Sequence, residues 1–170
     1  VRRVTMRGRI WLSDAVMNDL LSEANVAAPH ETGGILLGYS VRGCRDTVVT
    51  HGVGPGPNAV HAVDRFIPDC DYHDAEVARV YEEFDGKITY LGDWHSHPNG
   101  HGELSQCDRQ TFRSIAVCPD ARIPEPVMLI LADSTDWNPV AWRGRIVHRF
   151  AWFSRFVTVP IDVETYRGDR

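Results

Sequence analysis

Three stretches of the chain place apolar side chains three and four residues apart, which is the spacing of an amphipathic helix. These helices are predicted over residues 13–28, 71–84 and 105–117. Each begins with a residue type that can accept a hydrogen bond from the free N–H groups of a first helical turn. The predicted capping residues are Ser13, Asp71 and Ser105. Pro29 is expected to end the first helix.

Shorter stretches that are rich in β-branched, aromatic or alternating apolar residues predict strands. They cover residues 9–12, 31–38, 47–53, 88–97, 127–132, 140–143 and 146–159. The stretch 127–132, VMLILA, is apolar throughout, which is typical of a strand buried on both faces. The last stretch is long enough to be bent or broken, and a polar tail follows it. Strands mixed with three helices predict an α/β fold with layers packed around a central sheet.

Length and composition fit one globular domain over residues 1–170, because 43% of the residues are hydrophobic and 24% are charged. The 18 basic and 23 acidic residues leave a net charge of -5, and the basic residues form no long run. This balance argues against nucleic acid as the main partner.

No stretch of the sequence predicts a leader or a membrane anchor. The first ten residues, VRRVTMRGRI, lack an apolar core of signal-peptide length, and VMLILA is too short to cross a bilayer. The four cysteines stand singly, without a C-x-x-C pair, which disfavours a structural zinc knuckle and fits reduced thiols. We therefore expect a soluble, cytoplasmic protein with no membrane partner.

Metal-binding side chains are concentrated in residues 94–108, WHSHPNGHGELSQCD. His95 and His97 are two apart at the end of a predicted strand, so both imidazoles should point to the same side. Asp108 follows after ten intervening residues, at the start of the third predicted helix. Two neutral imidazoles and one carboxylate suit a catalytic zinc whose fourth position stays open. The pattern predicts a Zn²⁺ site with these three ligands.

Asp108 also has a purely structural interpretation. Ser105 and Asp108 match the S-x-x-D pattern of a capping box, in which the pair does no more than start a helix. However, Asp108 shares its helix face with Phe112 and Ile115, at i+4 and i+7. A carboxylate on a buried stripe requires a cation or several hydrogen-bond donors. The histidine pair nearby favours the metal.

Other polar residues near this stretch leave alternatives open. Asp93 lies on the same strand face as the histidines, where it can either orient an imidazole or contact a turn or solvent. His101 is interpreted as a solvated loop histidine rather than a further ligand. Cys107 lacks an evident histidine base, which disfavours a thiol nucleophile. The loop at residues 54–58 is a candidate substrate rim, and residues 54–66 with the following helix are candidates for the wall of a cleft.

The order and spacing of five residues resemble the signature of the JAMM metalloproteases, also called the MPN-plus family. That signature is a distant glutamate, then H-x-H, seven residues, a serine, two residues and an aspartate. The matching residues are Glu31, His95, His97, Ser105 and Asp108. The surrounding ETGGILLG and YLGDWHSHP are also similar to family members, so the resemblance runs from about Ser13 to Trp142. It is greatest to small bacterial members found with ubiquitin-like conjugation systems and antiphage elements.

The resemblance implies a curved, mixed β-sheet flanked by helices, related in architecture to the cytidine deaminases. It implies Zn²⁺ ligation by His95, His97 and Asp108, general acid/base catalysis by Glu31, and stabilisation of the tetrahedral intermediate by Ser105. The implied reaction is hydrolysis after the C-terminal glycine of a ubiquitin-like protein, in a precursor or a conjugate. Such enzymes work beside a cognate activating and conjugating enzyme system. Leu104 stands where many bacterial members have proline, which leaves the ligands unaffected.

Two other functions remain open at the level of sequence. One is a metallohydrolase that releases an amino acid from the tail of a sulfur-carrier protein. The other is a non-catalytic scaffold, as in relatives that have lost the metal, although the intact set of five residues speaks against it.

Overall fold

The computed structural model describes residues 8–150 and 153–168. The arginine-rich residues 1–7 considered above lie outside the described residues, as do Ala151 and Trp152. All the elements below are within the described part.

The three helices in the described residues begin at side-chain caps, two of them at the predicted residues Ser13 and Ser105. Helix α1 covers Asp14–Ala27, where the Ser13 Oγ accepts a hydrogen bond from the Val16 N–H at 3.1 Å. Helix α2 covers Cys70–Glu83 and helix α3 covers Gln106–Val117. None of these helices has both the length and the apolar character that a membrane crossing needs.

The predicted cap of α2 is wrong by two residues. Asp69, not Asp71, accepts the Tyr72 N–H at 3.3 Å, and Asp71 lies inside the first turn. The Asp69 carboxylate also accepts two hydrogen bonds from Asn58, at 3.0 Å each. Both aspartates have capping chemistry, and the contact with a distant loop decides between them.

The nine strands are β1 (Arg9–Ser13), β2 (Gly33–Ser40), β3 (Thr47–Val53), β4 (Val60–His61), β5 (Phe66–Ile67), β6 (Thr89–His97), β7 (Val127–Ala132), β8 (Asn138–Phe150) and β9 (Phe153–Tyr166). Seven of them form one sheet in the order β1-β3-β2-β6-β7-β8-β9. The sheet is mixed, since β1 is parallel to β3 and β9, β6 is parallel to β7, and the other pairs are antiparallel. The expected curved, mixed sheet flanked by helices is confirmed. The parallel pairing of β1 with β9 also closes it, which the sequence did not predict.

The stretch 146–159, expected to be bent or broken, is broken into parts of two strands. Ile146 ends up opposite Phe156, and Val147 opposite Arg155, so this stretch forms the two arms of an antiparallel pair. Residues 140–143, predicted as a separate strand, belong to the first of these arms, and the second arm continues to Tyr166 through the predicted polar tail. The β-rich composition is continuous across the reversal, so the pattern contains no turn signal there.

Strand β7 lies at the centre of the core. All six of its residues are buried, as predicted for a strand covered on both faces. Leu129 and Leu131 pack with α1 residues such as Leu20, whereas Met128 and Ile130 pack with Phe112 of α3. Full burial of an aliphatic side chain stabilises a fold by about 1.5–3 kcal/mol. Strand β6 is paired with this strand and is therefore supported along its length.

A β-bulge in β6 sets the direction of its side chains. Leu36 of β2 pairs with Gly92 and Leu37 pairs with Tyr90, which leaves Leu91 as an extra residue. Gly92 has φ +143°, and a Cβ there would lie 1.9 Å from the Val127 carbonyl oxygen, so only glycine fits. The extra residue brings the Tyr90 side chain to the same face as Asp93, three residues later, where the two hydrogen bond.

Candidate metal centre and active-site pocket

Strand β6 and the first turn of α3 bring His95, His97 and Asp108 together. The His95 Nε2 lies 3.1 Å from the His97 Nε2. The Asp108 Oδ1 lies 3.4 Å from the His95 Nε2, and its Oδ2 lies 3.7 Å from the His97 Nε2. The three side chains are only 12%, 13% and 15% exposed. The convergence expected from the sequence is therefore present.

These distances fit a tetrahedral metal. Donors bonded to zinc at about 2.0–2.1 Å with tetrahedral angles stand about 3.3–3.4 Å apart. The observed separations of 3.1, 3.4 and 3.7 Å lie around that value. Two imidazole nitrogens and a carboxylate are also the donor chemistry of catalytic zinc. The group has the composition and spacing of a three-ligand metal site.

The orientation of the His97 ring is fixed by a hydrogen bond at its Nδ1. Its Nδ1 lies 2.9 Å from the His101 carbonyl oxygen, which can only accept, so Nδ1 carries the proton and Nε2 keeps its lone pair. Burial and the neighbouring His95 lower the pKa of His97, which favours the neutral, metal-binding form. His101 thus acts through its backbone, and its imidazole is exposed, as predicted for a loop histidine.

Asp108 serves in the capping box and in the cluster at once. The Ser105 N–H donates to its Oδ2 at 2.7 Å, and its own N–H donates to the Ser105 Oγ at 3.1 Å. Partial burial works to raise the pKa of the Asp108 carboxyl. The hydrogen bonds and charge of His95, with the hydrogen bonds from Ser105, outweigh burial and lower this pKa. The carboxylate is therefore ionised at neutral pH, and the two interpretations of the S-x-x-D pattern are compatible.

Glu31 faces the same cavity from the end of the loop before β2. Its N–H donates to the Ala62 carbonyl at 2.7 Å, and its carbonyl lies 3.0 Å from the His61 Nδ1. Burial raises the pKa of the Glu31 carboxyl, and Asp108 and Asp64 add to this rise while His95 opposes it. His95 and Asp108 affect the pKa of Glu31 because all three residues line one cavity.

The cavity has a volume of ≈ 530 Å³. The cluster lines one side together with Ser105 and the exposed thiol of Cys107, and the β4–β5 hairpin lines another through residues 63–68. Of the predicted cleft wall, residues 63–66 and His73 of α2 are confirmed. Within the described chain, residues 54–58 do not line the cavity, so the predicted rim is wrong. That loop instead supports the wall, because Asn58 is tied to Asp69.

Three polar side chains in or next to the wall were not singled out individually in the sequence: His73 and Arg65, which fall within the predicted wall, and Tyr90, which contacts the cavity residue Asp93. His73 is buried and lies with its Nε2 2.8 Å from the Gly54 carbonyl oxygen, which fixes that nitrogen as the donor. Tyr90 donates to the Asp93 Oδ1 at 2.6 Å, so the partner of Asp93 is this phenol. Arg65 belongs to the hairpin. Only His73 had a sequence signal, since it lies four residues before Val77 on the inner face of its helix.

A family model described as prokaryotic homologs of the JAB domain matches residues 13–144. The chain belongs to this family. The membership confirms the resemblance to JAMM/MPN proteins inferred from the five signature residues.

The relatives of this JAB-domain protein carry hydrolase names. It is 35% identical over 160 residues to the probable metalloprotease y4qB of Sinorhizobium fredii, covering 93% of this chain and 97% of that relative. It is 30% identical over 129 residues to a protein of Enterobacter hormaechei named CD-NTase/cGAS isopeptidase, covering 72% of this chain and 66% of that relative. A solution structure of protein DSY2949 from Desulfitobacterium hafniense has a TM-score of 0.64 at 17% identity, with 94% of each chain covered. These similarities indicate a metal-dependent hydrolase of the JAMM type, and the solved structure supports the fold.

Proposed function

We propose that this JAB-domain protein is a zinc-dependent isopeptidase or peptidase that cleaves after the C-terminal glycine of a ubiquitin-like protein. The observation that carries the proposal is the cluster of His95, His97 and Asp108 in one pocket with Glu31. The intact donor set favours a hydrolase over the non-catalytic scaffold. Zinc is proposed because the donors and their spacing suit it.

When bound, zinc supplies Lewis acidity, which polarises a carbonyl and brings the pKa of water to about 7. Glu31 is the general base in this proposal. Its carboxylate accepts a proton from the attacking water and returns that proton to the leaving amine. The burial that raises its pKa makes it a stronger base than an exposed glutamate. The residue thus serves both halves of the hydrolysis.

In this proposal Ser105 stabilises the developing oxyanion. Its Oγ accepts a hydrogen bond from the Asp108 N–H, and a hydroxyl that accepts one bond still has its own proton to donate. Ser105 is among the residues that line the cavity. A hydroxyl held by the helix cap needs little reorganisation when charge develops on the substrate oxygen. Capping and oxyanion stabilisation are therefore compatible roles.

The substrate is proposed from the pocket and from the relatives. A tail that ends in glycine can enter between the cluster and the β4–β5 hairpin because glycine has no side chain to clash. Among the described strands, β4 and β5 pair only with each other, which leaves a hairpin edge for an extended tail to pair with. Two relatives are named as isopeptidases. Ubiquitin-like precursors or conjugates, made by a cognate activating and conjugating system, are the proposed partners.

The test uses a ubiquitin-like protein encoded beside this gene, as a linear C-terminal fusion and as a lysine conjugate. Zinc-loaded wild type should cleave at least one of them after the terminal glycine, and Glu31→Gln with an equal zinc content should be slower by about 10²-fold or more. An amino-acid adduct of a sulfur-carrier protein serves as the third substrate. Zinc-loaded wild type that cleaves neither ubiquitin-like substrate defeats the assignment, and cleavage of the carrier adduct alone replaces it.

A further inference from the structure

A pair of buried hydrogen bonds joins the segment that carries Glu31 to the strand that carries the histidines. The Thr32 N–H donates to the Ser96 Oγ at 3.0 Å, and the Ser96 N–H donates to the Thr32 carbonyl at 2.8 Å. Both residues are 0% exposed. Thr32 directly follows Glu31, and Ser96 lies between His95 and His97. These two hydrogen bonds therefore link the residue after the glutamate to the residue between the two histidines.

The segment that follows Glu31 and strand β6 also approach each other closely next to these two hydrogen bonds. Gly33 pairs with His95, and a Cβ at Gly33 would lie 2.5 Å from the Trp94 carbonyl oxygen and 2.9 Å from the His95 Cβ. Glu31 is held on its other side by Ala62 and His61, through hydrogen bonds of 2.7 and 3.0 Å. Its backbone is thus fixed at both ends, by the hairpin on one side and by Ser96 on the other.

We propose that Ser96 is a positioning residue, whose hydroxyl holds Glu31 at its working distance from the His95 and His97 side chains. The proposal rests on the proposed function for the role of Glu31. Ser96 alternates with the two histidines along β6, so its side chain points away from the cluster, and its burial excludes contact with substrate. Its hydroxyl therefore acts through Thr32 and Glu31 alone.

Removing this hydroxyl leaves the Thr32 N–H without an acceptor in a buried place. An unsatisfied buried donor is unfavourable enough for the segment to shift towards another acceptor or water. A shift of about 1 Å in a catalytic group can lower the rate by about 10²-fold. The step affected is proton transfer through Glu31, so kcat should fall while KM and metal binding stay close to the wild-type values.

Thr32 itself offers a matched control. Its own Oγ1 is buried and has no hydrogen-bond partner among the described residues. Thr32→Val therefore removes a hydroxyl of the same link without removing either hydrogen bond. Ser96→Ala removes the acceptor, Ser96→Cys keeps the shape with a weak acceptor, and Ser96→Thr restores a hydroxyl.

The first measurement is amide hydrogen exchange of Thr32 by NMR, in metal-free protein, which needs no activity. We expect exchange at this amide to be faster in Ser96→Ala and Ser96→Cys by about tenfold or more, and unchanged in Ser96→Thr. The second measurement is kcat, KM and zinc content of the loaded variants on the cleaved ubiquitin-like substrate. We expect kcat to fall in the Ala and Cys variants, and Ser96→Thr and Thr32→Val to keep it.

The two proposals fail differently. Zinc-loaded wild type that cleaves nothing overturns the proposed function. Unchanged hydrogen exchange at the Thr32 amide in Ser96→Cys overturns the role of the Ser96 hydroxyl as its acceptor, whether or not the wild type is active. Active wild type with faster Thr32 exchange and unchanged kcat in Ser96→Cys overturns positioning alone. Loss of zinc from Ser96→Cys also overturns it, because the hydroxyl would then be supporting the ligands. If Ser96→Ala does not fold, the Cys, Thr and Val variants decide the outcome.

Discussion

Replacing Asp108 by asparagine separates the two roles of this residue. The side-chain oxygen of asparagine can still accept the Ser105 N–H that now reaches the Asp108 Oδ2 at 2.7 Å, and the N-cap residue itself, Ser105, is unchanged. The amide has no charge and is a poor ligand for zinc. Asp108→Asn should therefore leave the helix start in place and weaken the metal site.

In the metal-free protein the expected change is small. The lost charge near a helix N-terminus is worth about 0.3–1 kcal/mol. For a domain of this size each kcal/mol moves the melting temperature by about 2–4 °C, so a fall of about 1–4 °C is expected. The new amide N–H₂ faces the His95 Nε2, which lies 3.4 Å from the Asp108 Oδ1, so a hydrogen bond between them requires the His95 tautomer whose Nε2 accepts.

With zinc the difference becomes large. At a free zinc concentration of 100 times Kd, binding stabilises the wild type by about 2.7 kcal/mol, which raises its melting temperature by about 5–11 °C. If the substitution weakens binding 100-fold, the same zinc concentration stabilises the variant by only about 0.4 kcal/mol, or about 1 °C. Thermal unfolding with buffered zinc and with chelator measures both quantities on one sample.

Asp71→Asn is the matched control for this experiment. Asp71 is exposed in the first turn of α2, so its substitution also removes a charge from a helix N-terminus, but outside the cavity. Asp71→Asn should show the same zinc-dependent rise in melting temperature as the wild type. Asp108→Asn with a zinc-dependent rise equal to that of the wild type would refute Asp108 as a ligand.

Three further results are expected. In metal-free protein, carboxyl ¹³C NMR should give Glu31 a pKa above 4.5 because of burial. Zinc should lower that pKa because a nearby cation favours the carboxylate. A Glu31 pKa that does not change with zinc would contradict a metal site in the same cavity. Gly33→Ala should reduce the free energy of unfolding by about 1–3 kcal/mol in urea denaturation, since its Cβ meets fixed backbone at 2.5 Å. Gly54→Ala should leave the free energy of unfolding nearly unchanged, because the nearest atom to a Cβ there is the flexible Glu23 carboxylate at 3.6 Å. Equal losses of unfolding free energy in the two variants would reject the steric argument. Asp69→Ala should lower the urea midpoint more than Asp71→Ala because only Asp69 caps α2 and binds Asn58; the opposite order would restore the cap predicted from the sequence.

The features that sequence could predict are those set by local chemistry. Period-two alternation places His95 and His97 on one face, and the capping pattern at Ser105 and Asp108 fixes where the next helix starts. Those two rules place two donors on one strand face and the third in the first turn of the next helix, and the packing of α3 on the sheet brings them together. Burial of residues 127–132 on both faces likewise follows from their uninterrupted apolar character.

The features that sequence could not predict depend on partners far along the chain. The bulge at Leu91 exists only in register with β2, and without it Tyr90 would point away from Asp93. Closure of the sheet needs β1 to pair with β9 at the other end of the chain. The choice of Asp69 over Asp71 depends on Asn58, eleven residues earlier. Each of these is decided by a tertiary contact that overrides an ambiguous local signal.

Two of the proposed metal ligands, His97 and Asp108, are oriented by hydrogen bonds to the backbone. The His97 ring is held by the His101 carbonyl at 2.9 Å, and the Asp108 carboxylate is held by the Ser105 N–H at 2.7 Å. Hydrogen bonds that restrict these two side chains reduce the conformational freedom that metal binding would otherwise remove, which favours binding. The same hydrogen bonds direct the His97 Nε2 and the free lone pairs of Asp108 towards a common point. Weakening the hydrogen bond from the Ser105 N–H should therefore reduce both the stability of the first turn of α3 and the affinity for the metal. Removing only the charge of Asp108 should reduce the affinity for the metal and leave the first turn of α3 in place.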